Sequence, residues 1–188
     1  MSVISVPERT RISADRYQKM VATGVLTEYD RVELIDGDIL SMAPIGSNHS
    51  AVTARLNKLF VLSAGDLAIV SPGSSIRLGD YSLPQPDLML LKPRDDFYSE
   101  QIPTAPDVLP LVEISDSSLA FDQSAKRALY ARDGVAEYWV ADIPGKRIHV
   151  YSEPTVDGYA QALECVLTDT VSPRQLPVVK VTVQSLFT

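Results

Sequence analysis

Two short apolar runs stand out in the pattern of hydrophobic and polar positions along the chain. Residues 86–91 and 110–115 are bounded by turn-forming residues, and their lengths are typical of strands that are buried on both faces. Each run carries one carboxylate, Asp87 at the start of the first and Glu113 within the second. An uncompensated charge in a core strand costs several kcal/mol, so we expect a compensating cation or strong donors beside each. Two such carboxylates on neighbouring strands suggest a metal site.

Helical spacing of apolar positions predicts three helices. The first covers residues 13–21 with Ser13 as its cap, the second covers residues 49–63, and the third runs from a cap at Asp122 to residue 133.

The remaining elements are predicted strands and loops. Asp36-Gly37 suits a type I′ turn and predicts a hairpin of residues 31–35 and 38–42. Residues 92–106 are polar and irregular, and they predict a flexible lid. Further strands are expected at residues 67–70, 75–78, 137–142 and 147–151, with short strands between 159 and 186. The economical arrangement is one mixed sheet with helices packed on it.

Length and composition favour a single domain over residues 1–188, with residues 1–10 as a mobile arm. The first residues lack the apolar core of a signal peptide, and no run approaches the roughly 20 apolar residues that cross a bilayer. The single cysteine, Cys165, excludes an intramolecular disulfide and a cysteine-cluster metal site. We therefore expect a cytoplasmic protein without a membrane segment.

The formal net charge of -7 bears on the partners of the protein. Proteins that bind nucleic acid without sequence preference are usually basic, because phosphate contacts supply much of their affinity. The charge argues against a polybasic binding mode. It leaves open a nuclease whose divalent cations offset a local cluster of acids.

Alternation along the second apolar run places Glu113 on the same strand face as Leu111 and Ser115. A basic residue at position 115 would lie beside Glu113, but serine occupies that position. Lys126, on the following predicted helix, is the next cation along the chain. If this helix packs over the sheet, Lys126 reaches the carboxylates and Tyr130, four residues later, lines the same cleft.

An ordered set of motifs carries a resemblance to a known family. The set is Glu33-Leu34-Ile35-Asp36-Gly37-Asp38, His49, Pro86-Asp87, Val112-Glu113-Ile114-Ser115, Asp122 with Lys126 and Tyr130-Ala131, Gly134-Val135, and Glu137-Tyr138-Trp139-Val140-Ala141-Asp142. It resembles the Uma2 family of restriction-endonuclease-like proteins, within the PD-(D/E)XK nuclease superfamily, over nearly the whole chain. The resemblance implies an α/β fold with a restriction-endonuclease-like mixed β-sheet flanked by helices. It also implies Mg²⁺ or Mn²⁺ as cofactor, and a homodimer that acts on DNA.

The same resemblance implies roles for individual residues. Asp87 and Glu113 are the expected metal ligands, with the backbone carbonyl of Ile114 as a third. Lys126 replaces the lysine that the superfamily carries two residues after the glutamate, and Glu33 corresponds to its additional N-terminal acid. Together these residues predict metal-dependent hydrolysis of phosphodiester bonds, because hard cations prefer oxygen ligands and lower the pKa of bound water.

Structural alternatives stay open for several of these side chains. Glu113 could instead form a buried salt bridge with Arg127 or Arg132. Glu33 could pair across the hairpin with Arg31 or Ser41. For other candidates, His49 is either a capping residue or part of the cleft, Tyr130 and Trp139 are expected in the core, and His149 is expected on an exposed strand position.

Two alternative functions follow from the serine at position 115 and the acidic charge. One is a catalytically inactive binding or structural module on the same fold. The other is a metal-dependent hydrolase of a small phosphorylated substrate, which suits the net charge better than a duplex does.

Overall fold

The structure, a computed structural model, describes residues 9–27 and 29–188. Its strands are β1 (Val32–Ile35), β2 (Asp38–Ser41), β3 (Ile69–Pro72), β4 (Leu88–Leu91), β5 (Val108–Ser115), β6 (Glu137–Asp142), β7 (Arg147–Thr155), β8 (Gly158–Cys165), β9 (Thr170–Val171) and β10 (Val181–Thr182). Its α-helices are α1 (Ala14–Ala22), α2 (Ser47–Ala64), α3 (Leu119–Phe121), α4 (Arg127–Arg132) and α5 (Gln184–Phe187). A π-helical segment, Asp122–Lys126, joins α3 to α4 without a break.

The main sheet has six strands in the order β3-β4-β5-β6-β7-β8. Strands β5 and β6 are parallel, and the other neighbouring pairs are antiparallel. The parallel pair is connected by the α3–α4 helix, as parallel strands require a crossover. The predicted mixed sheet with flanking helices is confirmed.

The two faces of the sheet pack against different helices. Apolar residues of α2 and of the C-terminal segment cover one face, which includes Val112, Ile114 and Trp139. Helix α4 contributes Leu129 to the core on the opposite face. Leu111 belongs to this second core, so the alternation along β5 directs Glu113 towards the α3–α4 side, as predicted.

Local signals in the first part of the chain give the expected elements. The Ser13 hydroxyl accepts a hydrogen bond from the backbone N–H of Arg16 and caps α1. Strands β1 and β2 form the predicted hairpin, and the turn has positive φ at both Asp36 (51°) and Gly37 (84°), as a type I′ turn requires.

Three predictions for the rest of the chain need comment. The predicted strand at 75–78 is wrong, because only isolated bridges from Arg77 and Leu78 occur there. Of the predicted N-terminal arm, residues 1–8 lie outside the described part, and Arg9 forms an ion pair with Asp38. No helix in the described ranges is both long and apolar enough to cross a membrane.

Candidate active site

Asp87 lies where the chain enters β4, beside the end of β5. Its Oδ2 accepts a hydrogen bond from the backbone N–H of Ile114 (2.7 Å), and its Oδ1 lies 3.0 Å from Nε2 of His49. His49 is in the first turn of α2, so this carboxylate links the sheet to the helix. The hydrogen bond to Asp87 is the main cause that raises the pKa of His49, and it favours an imidazolium at this contact.

Glu113 is buried near the end of β5, with 4% of its surface exposed. Its Oε1 accepts hydrogen bonds from Nζ of Lys126 (3.0 Å) and from the hydroxyl of Tyr130 (2.7 Å). Among the described residues, no hydrogen bond uses Oε2. Burial is the main reason that the pKa of Glu113 is raised to about 8; Lys126 opposes the shift, and the carboxylates of Asp87 and Asp122 add to it.

Lys126 links Glu113 to Glu33, which comes from the separate β1–β2 hairpin. The ammonium lies 3.2 Å from Oε1 of Glu33, whose Oε2 accepts a hydrogen bond from the backbone N–H of Gln85 (3.2 Å). Burial disfavours the charge on Lys126, but Glu113 and Glu33 outweigh burial and raise the pKa of Lys126 above its ordinary value. Lysine therefore stays protonated between two carboxylates from different sheets.

The structure shows the ion-pair partner of these acids, which differs from the partners that the sequence suggested as alternatives. Glu113 pairs with Lys126, whereas Arg132 pairs with Asp36 and Asp133. In the hairpin, Glu33 lies opposite Leu40 and Ser41 lies opposite Val32, so Glu33 does not form the cross-strand pair suggested as its alternative.

The π-helical segment brings Asp122 to the same buried side as Lys126. Asp122 is 2% exposed, and its Oδ2 accepts hydrogen bonds from the hydroxyls of Ser115 (2.7 Å) and Ser118 (2.6 Å). The Tyr138 hydroxyl donates to its backbone carbonyl (3.1 Å). Asp122 is thus a buried acceptor inside a helix that begins three residues earlier, and its prediction as a helix cap is wrong. π-helical segments are frequent at functional sites.

These side chains line one cleft with a volume of 490 Å³. Its floor contains Asp87, Glu113 and Lys126, and most of its remaining lining comes from the β1–β2 hairpin, the segment after β2 and the segment after β5. Residues 92–106 contribute nothing to this lining, so the interpretation of that loop as a lid gains no support. The full lining is Arg31, Glu33, Leu40, Ser41, Met42, Ala43, Pro44, Ile45, Gly46, His49, Gln85, Asp87, Glu113, Ile114, Asp116, Ser117, Ser118, Phe121, Asp122 and Lys126.

The oxygen atoms of this floor fit the requirements of a hard divalent cation. Oε2 of Glu113 is free of hydrogen bonds within the described part of the chain, and each oxygen of Asp87 accepts only one contact. The N–H of Ile114 points to Asp87. Because a residue in a strand directs its N–H and C=O to the same edge, the carbonyl of Ile114 also faces the side of the sheet where Asp87 lies. Two carboxylates and one carbonyl are typical of the ligands that a protein supplies to Mg²⁺, and the ion keeps several waters as its other ligands. Within the described ranges, no group of three His, Cys, Asp or Glu side chains is arranged to hold a metal ion by itself.

The other candidates from the sequence have clear positions. Tyr130 and Trp139 are fully buried, as expected for core aromatics, although the Tyr130 hydroxyl also reaches Glu113. His49 lines the cleft. His149 is partly buried rather than exposed, because Asp142 and Glu164 flank its ring.

Arg31, Asp116 and Phe121 line the cleft but were not predicted as site residues. Asp116 lies in the turn after β5, and its position three residues beyond Glu113 is the signal that could have indicated it. Arg31 and Phe121 carry no local signal of this kind, because the fold alone brings their segments to the cleft.

Comparisons with known proteins agree with this fold. The chain matches the Uma2 family, described as "Putative restriction endonuclease", over residues 14–184. It is similar to a crystal structure described as a putative nuclease of the DUF820 family from Anabaena variabilis, with a TM-score of 0.72 and 17% identity over 94% of this chain and 97% of the other. At that identity the similarity shows a shared fold. No curated protein matches the chain.

Proposed function

Because the chain belongs to the Uma2 family of restriction-endonuclease-like proteins, we propose that it is a metal-dependent nuclease that hydrolyses phosphodiester bonds in DNA. Asp87, Glu113, Lys126 and Glu33 form the proposed active site. The family and the nuclease-like fold support the general reaction, and the geometry of the cleft supports these residues.

One observation carries the proposal: two carboxylates from neighbouring strands and one buried lysine meet in a cleft. Nζ of Lys126 is 3.0 Å from Oε1 of Glu113, and only 5% of the lysine is exposed. Burying a lysine with acids is costly, and even a paired buried charge often contributes no more to stability than packed apolar groups of similar volume. Such an arrangement is typical of a site for chemistry, because perturbed ionisable groups cluster at functional sites.

A bound Mg²⁺ or Mn²⁺ would be held by Asp87, Glu113 and the carbonyl of Ile114. When bound, the ion supplies Lewis-acid stabilisation of phosphate charge and a water of lowered pKa. The two ligating side chains are positioned by neighbours, since His49 contacts Asp87 and Tyr130 donates to Glu113. These neighbours leave Oε2 of Glu113 for the ion.

Lys126 acts as a cation rather than as a base in this proposal. Its pKa is raised by Glu113 and Glu33 despite burial, so the ammonium keeps its protons at neutral pH. An ammonium beside the carboxylates orients the attacking water and offsets the negative charge that develops on the phosphate. Glu33 fixes the position of the ammonium from the opposite side.

The dimensions of the cleft favour a second candidate function, hydrolysis of a small phosphorylated substrate. Its 490 Å³ lies within the usual range of small-molecule sites. Arg31 is the exposed cation of its lining within the described residues.

Nicking of supercoiled plasmid in Mg²⁺ or Mn²⁺ tests the proposed function. We expect the wild-type chain to nick the plasmid and both Glu113→Gln and Lys126→Met to lose the activity. Glu100→Gln and Lys58→Met, which alter exposed residues outside the cleft, are matched controls that should stay active. Activity that persists in Glu113→Gln would refute the assignment of the site. Inactivity of the wild type on plasmid and on single-stranded DNA but hydrolysis of a small phosphodiester would favour the second candidate, and inactivity on all three substrates would favour a non-catalytic module.

A further inference from the structure

The charged side chains of the cleft are poorly suited to a continuous DNA duplex. Proteins that bind duplexes neutralise several phosphates with lysine and arginine. Within the described residues the lining contains one lysine, one histidine and one arginine; Lys126 is already paired with buried acids, and His49 with Asp87. Arg31 is exposed. The same lining contains five carboxylates, those of Glu33, Asp87, Glu113, Asp116 and Asp122.

Large apolar side chains are exposed in the same cleft. Ile45 is 53% exposed and follows β2, and Phe121 is 37% exposed and belongs to α3. Met42 and Pro44 extend the apolar lining beside Ile45. Single exposed hydrophobic residues need no explanation, but a group that adjoins a polar site is typical of a surface that contacts a ligand.

The apolar residues and the acids belong to segments that lie close together. A side-chain carbon at Gly46 would be 3.9 Å from Oδ2 of Asp116, so the segment after β2 and the segment after β5 approach each other at the cleft. Phe121 is held by a hydrogen bond from its N–H to the carbonyl of Ser118 (2.9 Å), and it directly precedes the π-helical segment that carries Lys126. The backbone of Phe121 therefore has a defined position relative to Lys126.

We propose that this cleft takes an unpaired DNA strand, with bases packed on Phe121 and Ile45 and one phosphate beside the divalent ion that Asp87 and Glu113 would hold. The inference rests on the proposed nuclease function and names its substrate more closely. In a duplex the base faces are stacked on each other, whereas each base of a single strand presents a face to an aromatic or apolar side chain. Stacking supplies affinity that the few cations of the cleft cannot supply.

Fluorescence anisotropy with labelled oligonucleotides tests the inference, with Ca²⁺ as the divalent ion to support binding. The probes are a single-stranded oligothymidine, an abasic strand of the same length and a duplex of the same length. We expect the single strand to bind most tightly and the abasic strand to bind about tenfold more weakly, because stacking on each base contributes at this level.

Variants of the chain locate the binding surface. Phe121→Ala should weaken binding of the single strand about tenfold, and Phe121→Trp should retain it. Phe97→Ala is the matched control, since Phe97 is 71% exposed and does not line the cleft. Circular dichroism and thermal melting verify that each variant is folded.

The outcomes separate this inference from the proposed function. Equal or tighter binding of the duplex, or equal binding of the abasic strand, would overturn the inference. Cleavage of duplex DNA that depends on Glu113 with no preference for single strands would overturn it too, while leaving the nuclease proposal intact. Tight, Phe121-dependent binding of the single strand without any cleavage would support the binding surface and refute the nuclease proposal.

Discussion

Replacement of Lys126 by methionine would leave two buried carboxylates, Glu113 and Glu33, without the ammonium between them. Methionine keeps the length of the apolar stem, so the main change is the loss of charge. At a pH above the Glu113 pKa of about 8, removing one partner of a buried ion pair costs up to about 3–5 kcal/mol, because the remaining charge stays in a low-dielectric environment. For a chain of this size, that cost corresponds to a decrease in Tm of roughly 6–20 °C.

Urea unfolding followed by tryptophan fluorescence measures this cost. Trp139 is the single tryptophan of the chain and is fully buried, so its emission reports loss of the core. Lys58→Met, an exposed substitution on α2, should change the free energy of unfolding by less than about 0.5 kcal/mol. The double variant Lys126→Met/Glu113→Gln should recover part of the loss, because the glutamine carries no charge.

Unfolding of Lys126→Met at the same urea concentration as Lys58→Met would refute a stabilising ion pair between Lys126 and the two glutamates. This ion pair would also be refuted if adding Glu113→Gln to Lys126→Met destabilised the chain further by the full cost of the single substitution. Either result would mean that the ammonium and the carboxylates do not interact in the folded protein.

Other substitutions test individual contacts of the fold. Asp122→Ala leaves two serine hydroxyls without their acceptor and should cost about 1–3 kcal/mol in urea unfolding; an unchanged midpoint would contradict this. Gly37→Ala forces a side chain into positive φ (84°) and against Arg11, so its loss should exceed about 1 kcal/mol, which thermal melting can check. Burial raises the pKa of Glu137, so its contribution to stability is complete below its ordinary pKa of 4.5 and decreases as the pH rises through the folded-state value. Glu137→Gln should abolish that part of the pH dependence of unfolding, and an identical pH profile would disprove it.

The sequence was a good guide wherever the signal was local. Period-two alternation along β5 placed Glu113 on the α3–α4 side of the sheet, and the Asp36-Gly37 pair gave the hairpin turn. The spacing of Lys126 and Tyr130, four residues apart, puts both on one side of the helix, and both contact Glu113. Tyr130 is fully buried, however, and does not line the cleft as predicted.

Predictions failed where tertiary contacts override local preference. The sequence predicts Asp122 as a helix cap because aspartate commonly begins helices, but hydrogen bonds from Ser115 and Ser118 stabilise it inside the helix. The π-helical segment has no sequence signature that distinguishes it from an α-helix. The contact between Glu33 and Lys126 could not be predicted either, since it joins segments that are far apart in the chain.

The proposed activity depends most on whether Asp87 and Glu113 together hold a divalent ion. Calorimetric titration of Mn²⁺ into the folded protein tests this directly, with Asp87→Asn as the site variant and the exposed Asp66→Asn as its control. We expect one ion to bind the wild type and Asp66→Asn alike, and Asp87→Asn to bind it at least about tenfold more weakly. Equal affinity of all three proteins for Mn²⁺ would contradict the proposed metal site.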